Sequence, residues 1–235
     1  MIKTLTESET VTDPSLLDRV RKARRSLDEN RPTTVRSVGD FNRVSVPYAD
    51  ADVLRDWLLA ERARIVIEIG LAYGVSALAI AEALVANGAT DNAHVIIDPH
   101  QDQFDDVGWK ALVAAGLSEL CSLEQSRSQF ALPRLATDGL VADAAFVDGS
   151  HIFHNVFVDL YYLRELVRPG GLVILDDCDW QAVATAARYF EANADWQLQR
   201  DDRRTRLRAY RLPSPRVEPT FEDFKPFGLD FTGTS

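Results

Sequence analysis

From Arg64 onward, short apolar runs alternate with segments of helical period, and this alternation constrains the fold more than any other feature of the chain. RIVIEI (64–69), HVIID (94–98), LCSLE (120–124), AAFVD (144–148) and GLVIL (171–175) read as buried strands. Helical segments stand between them: one over 75–87, one containing Trp109, Leu112 and Val113, one around Phe130 to Leu135, and one over 152–167. A further helix is expected at Gln181–Ala192. Strands that alternate with helices in this way build a parallel sheet covered on both faces. The end breaks the rhythm, because WQLQRDDRRTRLRAYRL (196–212) reads as two strands about a polar turn near Asp201–Arg204. The expected fold class is therefore α/β, with a seven-stranded, mostly parallel sheet closed by a C-terminal antiparallel hairpin.

What precedes the alternation is helical. A polar stretch runs to residue 12, and Asp13-Pro14 then offers an N-cap and a first helical proline. Leu16, Leu17, Val20, Ala23 and Leu27 recur at helical spacing until Asn30-Arg31-Pro32 stops them. Thr33 to Pro47 has no clean period and reads as a loop or edge segment. Ala49–Ala60 is a second helix, with Val53, Leu54, Trp57 and Leu58 as its apolar stripe. The expected organisation is an N-terminal helical cap segment over 1–47, a main α/β domain over 48–212, and a tail over 213–235. In the tail Phe221, Phe224 and Phe227, spaced by three, are expected to dock on the domain. The N-terminal helices would cap a substrate or form a subunit contact in a homodimer.

Charge narrows the partners. With 26 basic and 36 acidic residues the formal charge is −10, a poor match to nucleic acid or an anionic membrane surface. The Arg-rich stretch from Arg200 to Arg211 alternates with Leu207, Ala209 and Tyr210, as a strand with one solvated face does, its arginines paired with Asp201, Asp202 and other acids. No apolar run approaches the roughly 20 residues that span a bilayer, and MIKTLTESETVTDPS lacks the apolar core of a secretory signal. Cys121 and Cys178 form no metal or redox spacing, so a cytoplasmic protein with reduced thiols is expected. Lysine occurs only at positions 3, 22, 110 and 225, and the arginine and alanine bias suggests a GC-rich bacterial genome.

The strongest local signal is VIEIGLAYGVSALAIAEAL (66–84). The strand carries Glu68, turns through Gly70 and Gly74, and enters a helix at about Val75-Ser76. Glycine lets backbone approach a ligand, and free N–H groups at a helix start hold a carboxylate or phosphate. The spacing G-x-x-x-G lacks the middle glycine of the dinucleotide fingerprint. An acid at Glu68 repels pyrophosphate but suits an ammonium group. Asp98, ending the second strand, can accept both hydroxyls of a ribose. An ammonium site, a carboxylate site and a ribose site match S-adenosyl-L-methionine better than NAD.

On E-x-G-x-x-x-G-x-S at Glu68–Ser76 the chain resembles the class I S-adenosylmethionine-dependent methyltransferases. Over about residues 45–212 it is similar, more narrowly, to the catechol, caffeoyl-CoA and macrolide-sugar O-methyltransferases. The resemblance implies a Rossmann-like fold with Glu68 and Ser76 at the methionine end and Asp98 at the ribose. It implies that Ser128 and Gln129, in LEQSRSQFALPRL (123–135), lie by the adenine. The family's strand order would put Cys121 at a sheet edge and Cys178 beyond the centre, which argues against a disulfide. A place in specialised metabolism is suggested by the resemblance alone.

Two acidic clusters fall at carboxyl ends of strands: Asp148 in FVDGSH, and Asp176 and Asp177 in ILDDCDW. Converging carboxylates repel one another unless a cation sits among them, and oxygen ligands favour a hard ion such as Mg²⁺. In the resembling enzymes an Asp after strand four and an acidic pair after strand five hold such a metal, matching Asp148, Asp176 and Asp177. A metal-chelated diol is a better nucleophile toward a sulfonium methyl than a neutral hydroxyl. Acids at these strand ends also serve as helix caps, and Asp179 is expected as the N-cap of the next helix.

His151, where the catechol enzymes have a lysine, is the expected base, its alternative being a backbone hydrogen bond. His154 lies one turn on, but a zinc site would need further thiol or imidazole ligands. His100 receives no role, Trp180 stands either in the substrate pocket or in packing, and Asp159 is expected in an ion pair with an arginine. The sequence thus points to methyl transfer from S-adenosyl-L-methionine to a hydroxyl of a small molecule, assisted by a divalent cation. Rival readings are a metal-independent methyltransferase using His151, an NAD-dependent oxidoreductase, which lacks any Tyr-x-x-x-Lys pair, and a non-catalytic binding protein.

Overall fold

A computed structural model describes residues 14–32, 41–201 and 205–228. The expected Asp13 cap, the polar start, the 33–40 part of the aperiodic segment, the 202–204 tip of the hairpin and residues 229–235 lie outside the described residues. Seven strands form one sheet in the order β3-β2-β1-β4-β5-β7-β6. Five are parallel: β1 (Val66–Ile69), β2 (His94–Ile97), β3 (Cys121–Glu124), β4 (Ala142–Val147) and β5 (Val167–Leu175). Next, β7 (Arg208–Arg211) pairs antiparallel with β5 on one side and with β6 (Gln197–Asp201) on the other. This is the expected α/β sheet with its closing hairpin.

Period-two alternation sorts the strands onto two cores. Val66, Ile96, Ala144, Phe146, Leu172 and Ile174 face one core, built with α1 (Pro14–Asn30), α3 (Tyr48–Ala60), α4 (Val75–Ala86) and α5 (Val107–Ala114). Ile67, Ile69, Val95, Ala145, Val147 and Val173 face the other, built with α6 (Ser128–Thr137), α7 (Phe153–Leu166) and α8 (Gln181–Asn193). Eleven of the twelve residues of α4 are buried, as they must be in a helix enclosed by α1 and α3 on one side and the sheet on the other. The exception to its apolar character is Glu82. Arg24 of α1 meets that carboxylate at 2.5 Å and Arg21 at 3.0 Å, while Arg24 also reaches Asp52 of α3 at 2.7 Å. These arginines hold the Glu82 carboxyl below its ordinary range although burial opposes them.

Part of the aperiodic stretch forms a helical turn, α2 (Phe41–Val44), whose Phe41 ring packs 5.1 Å from Tyr73. The tail crosses α7 and α8. Arg216 pairs with Glu165 at 2.8 Å, Asn193 is bonded at both its oxygen and its nitrogen by Lys225 backbone, and Phe227 meets Tyr189 at 5.2 Å. Phe221, by contrast, points into solvent. Among the described residues no helix is long and apolar enough to cross a membrane.

Candidate active site

Register brings the site together. Ile69 pairs with Val147, and Val147 with Leu175, so the residues just beyond them, Gly70, Asp148 and Asp176, leave the sheet at one level. Here the chain order reverses direction across the sheet, between β1 with β2 on one side and β4 on the other. Open α/β sheets bind ligands at such a point. A cavity of about 740 Å³ opens there, lined by Gly70–Ser76, Asp98, Ser128, Gln129, Asp148, His151, Asp177 and Arg206 among others. That volume suits a cofactor-sized ligand.

The glycine turn has no room for a side chain. Gly70 sits at φ +98°, and a Cβ on it would lie 2.0 Å from the Asp148 carbonyl oxygen. Gly74, at φ +86°, is the N-cap of α4. Asp98 staples the turn from the next strand: Leu71 N and Ala72 N each donate to its Oδ2 at 3.0 Å, and Gln101 Nε2 donates to the same oxygen at 2.9 Å. Its Oδ1 accepts one bond, from His100 N at 2.7 Å. Asp98 therefore faces the cavity with its second oxygen the less committed of the two.

Glu68 and Ser76 were expected together at the methionine end, and the structure separates their positions. Ser76 lines the cavity, and its hydroxyl donates to Glu68 Oε1 at 2.5 Å. Glu68 is fully buried beneath it and faces His94 Nε2 at 2.8 Å. The cause is again register. Val66 pairs with His94, which makes His94 a diagonal neighbour of Glu68 on the same face of the sheet. Burial alone would lower the His94 pKa, but its bonds with Cys121 and Glu68 outweigh that and raise it to about 9. His94 is thus pushed toward its protonated form beside Glu68 in the floor of the site. Ser76, its proton given to Glu68, presents lone pairs to the cavity. At the opposite end Ser128 and Gln129 open α6 and line the same cavity.

Asp148, His151 and Asp177 come together as a group whose ligating atoms all lie within 4.8 Å of one another. His151 Nε2 is 2.8 Å from Asp177 Oδ2 and 3.9 Å from Asp148 Oδ1. Burial first, then the carboxylates of Asp176 and Asp177, push the Asp148 carboxyl up, whereas the bond to Asp177 raises His151. Asp177 adopts φ +52°, a left-handed conformation unusual for a side-chain-bearing residue, which turns it toward His151. Asp176, expected as a third ligand, stands in a different set of bonds. Its Oδ1 accepts Asp177 N at 2.7 Å, and its Oδ2 accepts Arg206 at 2.7 Å. Arg206 also reaches Asp177 Oδ1 at 3.0 Å.

Several surrounding residues differ from expectation. Among the described residues Asp159 has no arginine partner: Ser128 bonds it and its Oδ1 finds none. Asp179 is exposed and does not cap α8, whose N-cap is Trp180. Trp180 stacks on His151 with centroids 5.0 Å apart and is half exposed. His154 is exposed, outside the Asp148 group, and His100 lies at the cavity edge beside Gln103. Both cysteines are free, and burial pushes the Cys178 thiol up to about 12. Of the hairpin arginines, Arg211 pairs with Glu61 and Arg206 with Asp176 and Asp177, while the expected partner Asp202 lies outside the described residues. Sequence reasoning missed Arg206 and His94, and only a map of the pairing register would have revealed them.

Fold and site together define a Rossmann-like domain with a cavity beyond the carboxyl ends of its strands. Residues 67–178 match the family model described as a methyltransferase domain. Over that stretch, just under half of its length, the chain is similar to methyltransferase domains. It is 29% identical over 154 residues to an Arabidopsis thaliana protein that bears the name of a caffeoyl-CoA O-methyltransferase. That match takes in 66% of this chain and 63% of the relative, so the chain spans less than two thirds of that protein. Among solved structures, the O-methyltransferase TomG from Streptomyces achromogenes, in complex with S-adenosylmethionine, aligns with a TM-score of 0.60 at 19% identity. The alignment covers 88% of this chain and 92% of that one. An O-methyltransferase from Bacillus cereus in complex with S-adenosylhomocysteine aligns at 0.57 and 17% identity, over 86% and 92% of the two chains.

Proposed function

We propose that the protein transfers a methyl group from S-adenosylmethionine to a hydroxyl of a small molecule, assisted by a divalent cation. One observation carries this: a single cavity joins the glycine turn, the α6 start and the Asp148–His151–Asp177 group. The relatives bear the names of O-methyltransferases, which agrees with an oxygen acceptor.

The residues fit the cofactor. The glycine turn packs its Gly70 directly on the Asp148 backbone at the cavity wall, Ser76 offers an acceptor to an ammonium group, and the N–H groups opening α4 suit a carboxylate. Asp98 has acceptor capacity for the ribose, with Ser128 and Gln129 toward the adenine. When bound, S-adenosylmethionine supplies a sulfonium methyl that the acceptor oxygen attacks as the thioether leaves. The donor set also fits a cation, because two carboxylates and an imidazole converge in a cluster with buried negative charge. Asp148, Asp177 and His151 would hold it, and it would lower the pKa of the acceptor hydroxyl. Trp180 and His151 form a flat wall at the mouth of this group.

One contact favours a second reading. His151 faces Asp177 at 2.8 Å while Arg206 compensates both acids after β5. In that arrangement His151 takes the hydroxyl proton, Asp177 fixes the ring, and no metal takes part. Transfer of labelled methyl to a panel of phenols, catechols and sugars, with Mg²⁺ and after exhaustive chelation, tests both. Loss of turnover on chelation supports the cation, and unchanged turnover supports His151 alone. Calorimetry that finds no binding of S-adenosylhomocysteine would refute both.

A further inference from the structure

The hairpin delivers a cation of its own to the acids after β5. Arg206 places one nitrogen 2.7 Å from Asp176 Oδ2 and another 3.0 Å from Asp177 Oδ1. A guanidinium can bridge two carboxylates in this way because its donors form a rigid planar fork. The arginine is held at its base, since its backbone N donates to Asp50 Oδ2 of α3 at 3.3 Å and the next residue, Leu207, is fully buried. Its side chain is 37% exposed, whereas that of Asp176 is 0% exposed. The arginine can therefore swing out to water while the carboxylate stays.

We propose that Arg206 is a tethered counter-cation that withholds Asp176 from the strand-end site and so sets the affinity of this chain for divalent metal. The proposal deepens the cation-assisted reading above and rests on it. With Arg206 seated, three ligating side chains converge, Asp148, His151 and Asp177, and Arg206 repels an incoming ion. With Arg206 withdrawn, Asp176 Oδ2 loses its partner in a buried place where an unpaired carboxylate is costly, and a turn of that carboxylate toward the Asp148 group would make it a fourth donor. The antiparallel entry of β7 beside β5 aims residue 206 across the ends of the parallel strands.

The test is Mn²⁺ binding by calorimetry to the full chain without other ligands. Arg206→Gln, which keeps length and loses charge, is expected to bind Mn²⁺ at least roughly tenfold tighter than the wild type. A second change ties that gain to the freed carboxylate: Asp176→Asn in the Arg206→Gln background is expected to abolish it, and Asp176→Asn alone to leave wild-type affinity nearly unchanged. Arg206→Lys, should the Gln variant not fold, is expected to tighten binding by a smaller factor, since one ammonium cannot bridge both acids. Unchanged or weaker Mn²⁺ binding in the Arg206 variants would overturn the proposal, as would a gain that survives Asp176→Asn, or no binding by any of them. S-adenosylhomocysteine binding by the same proteins is read separately: its absence removes the methyltransferase reading and leaves the Mn²⁺ comparison intact.

Discussion

Asp159 offers a sharp test of the packing beneath the cofactor cavity. Its side chain lies in α7 against Ser128 at the start of α6, 1% exposed, with Oδ1 unpartnered. Burial raises its pKa to about 7, and the Ser128 bond only partly opposes this. In an unfolded chain an aspartate titrates near 3.9. The folded state therefore holds the proton more tightly. Below about pH 4 both states are protonated and the residue costs nothing. Between about pH 4 and 7 the unfolded chain releases the proton first, so stability falls as pH rises, and above 7 the cost is complete. A gap of roughly 3 units at 1.36 kcal/mol each makes that cost about 4 kcal/mol. Asp159→Asn carries no charge at any pH and pays at most a constant penalty for its amide. Relative to wild type, the variant should therefore gain about 3 kcal/mol between pH 5 and pH 8, or roughly 6–12 °C in Tm for a chain of this size. Calorimetric melts of both proteins at the two pH values measure the double difference. A difference in Tm that does not change with pH, or that moves against the variant at pH 8, would refute the buried-acid account.

Gly70→Ala places a Cβ 2.0 Å from the Asp148 carbonyl at φ +98°, so urea unfolding should show a loss of about 3 kcal/mol or more; a loss under about 1 kcal/mol would mean that the turn is not rigid. The His94–Glu68 pair is fully present below about pH 6.5 and is lost as pH rises through about 9, so wild type should lose about 3 kcal/mol across that window. His94→Gln should abolish this alkaline slope, and a slope equal to wild type would exclude His94 as its source. Asp177→Asn removes the partner of His151 and a proposed ligand together, and turnover should fall roughly 10²-fold or more. Its S-adenosylhomocysteine affinity should stay within a few-fold, and equal losses in both would mean that Asp177 only shapes the cavity.

The fold was largely legible because buried parallel strands read as continuous apolar runs, and each of these ends in a glycine or an acid. VIEI and HVII needed no partner information to be recognised. Boundaries were less so: β5 starts at Val167 rather than at Gly171, since Val167 pairs with Ala142 before the register shifts. α2 escaped notice because four residues carry no period, and Phe41 is fixed by the ring of Tyr73 far along the chain. The Asp159 expectation failed for a related reason. An acid inside a helix suggests a nearby arginine, but α7 faces α6 there, and α6 offers only a serine hydroxyl.

The site divides along the same line. Residues at the ends of parallel strands were visible as candidates, since every such strand delivers its next residue to one edge of the sheet. Which of them touch is decided by register and by what arrives from elsewhere. Asp176 and Asp177 are adjacent in sequence, yet the φ of +52° at Asp177 sends one toward His151 and leaves the other beneath Arg206. Nothing in RRTRLRAYR marks its second residue before Arg208 as different from the rest; the distinction arises because β7 runs antiparallel beside β5 and pairs Leu175 with Arg208. That pairing puts Arg208 level with the last residue of β5, so the residue two positions earlier must lie beyond the strand end, over the acids. The guanidinium over those acids is thus a consequence of sheet topology, and a chain with the same acids but a differently registered hairpin would leave Asp176 without it.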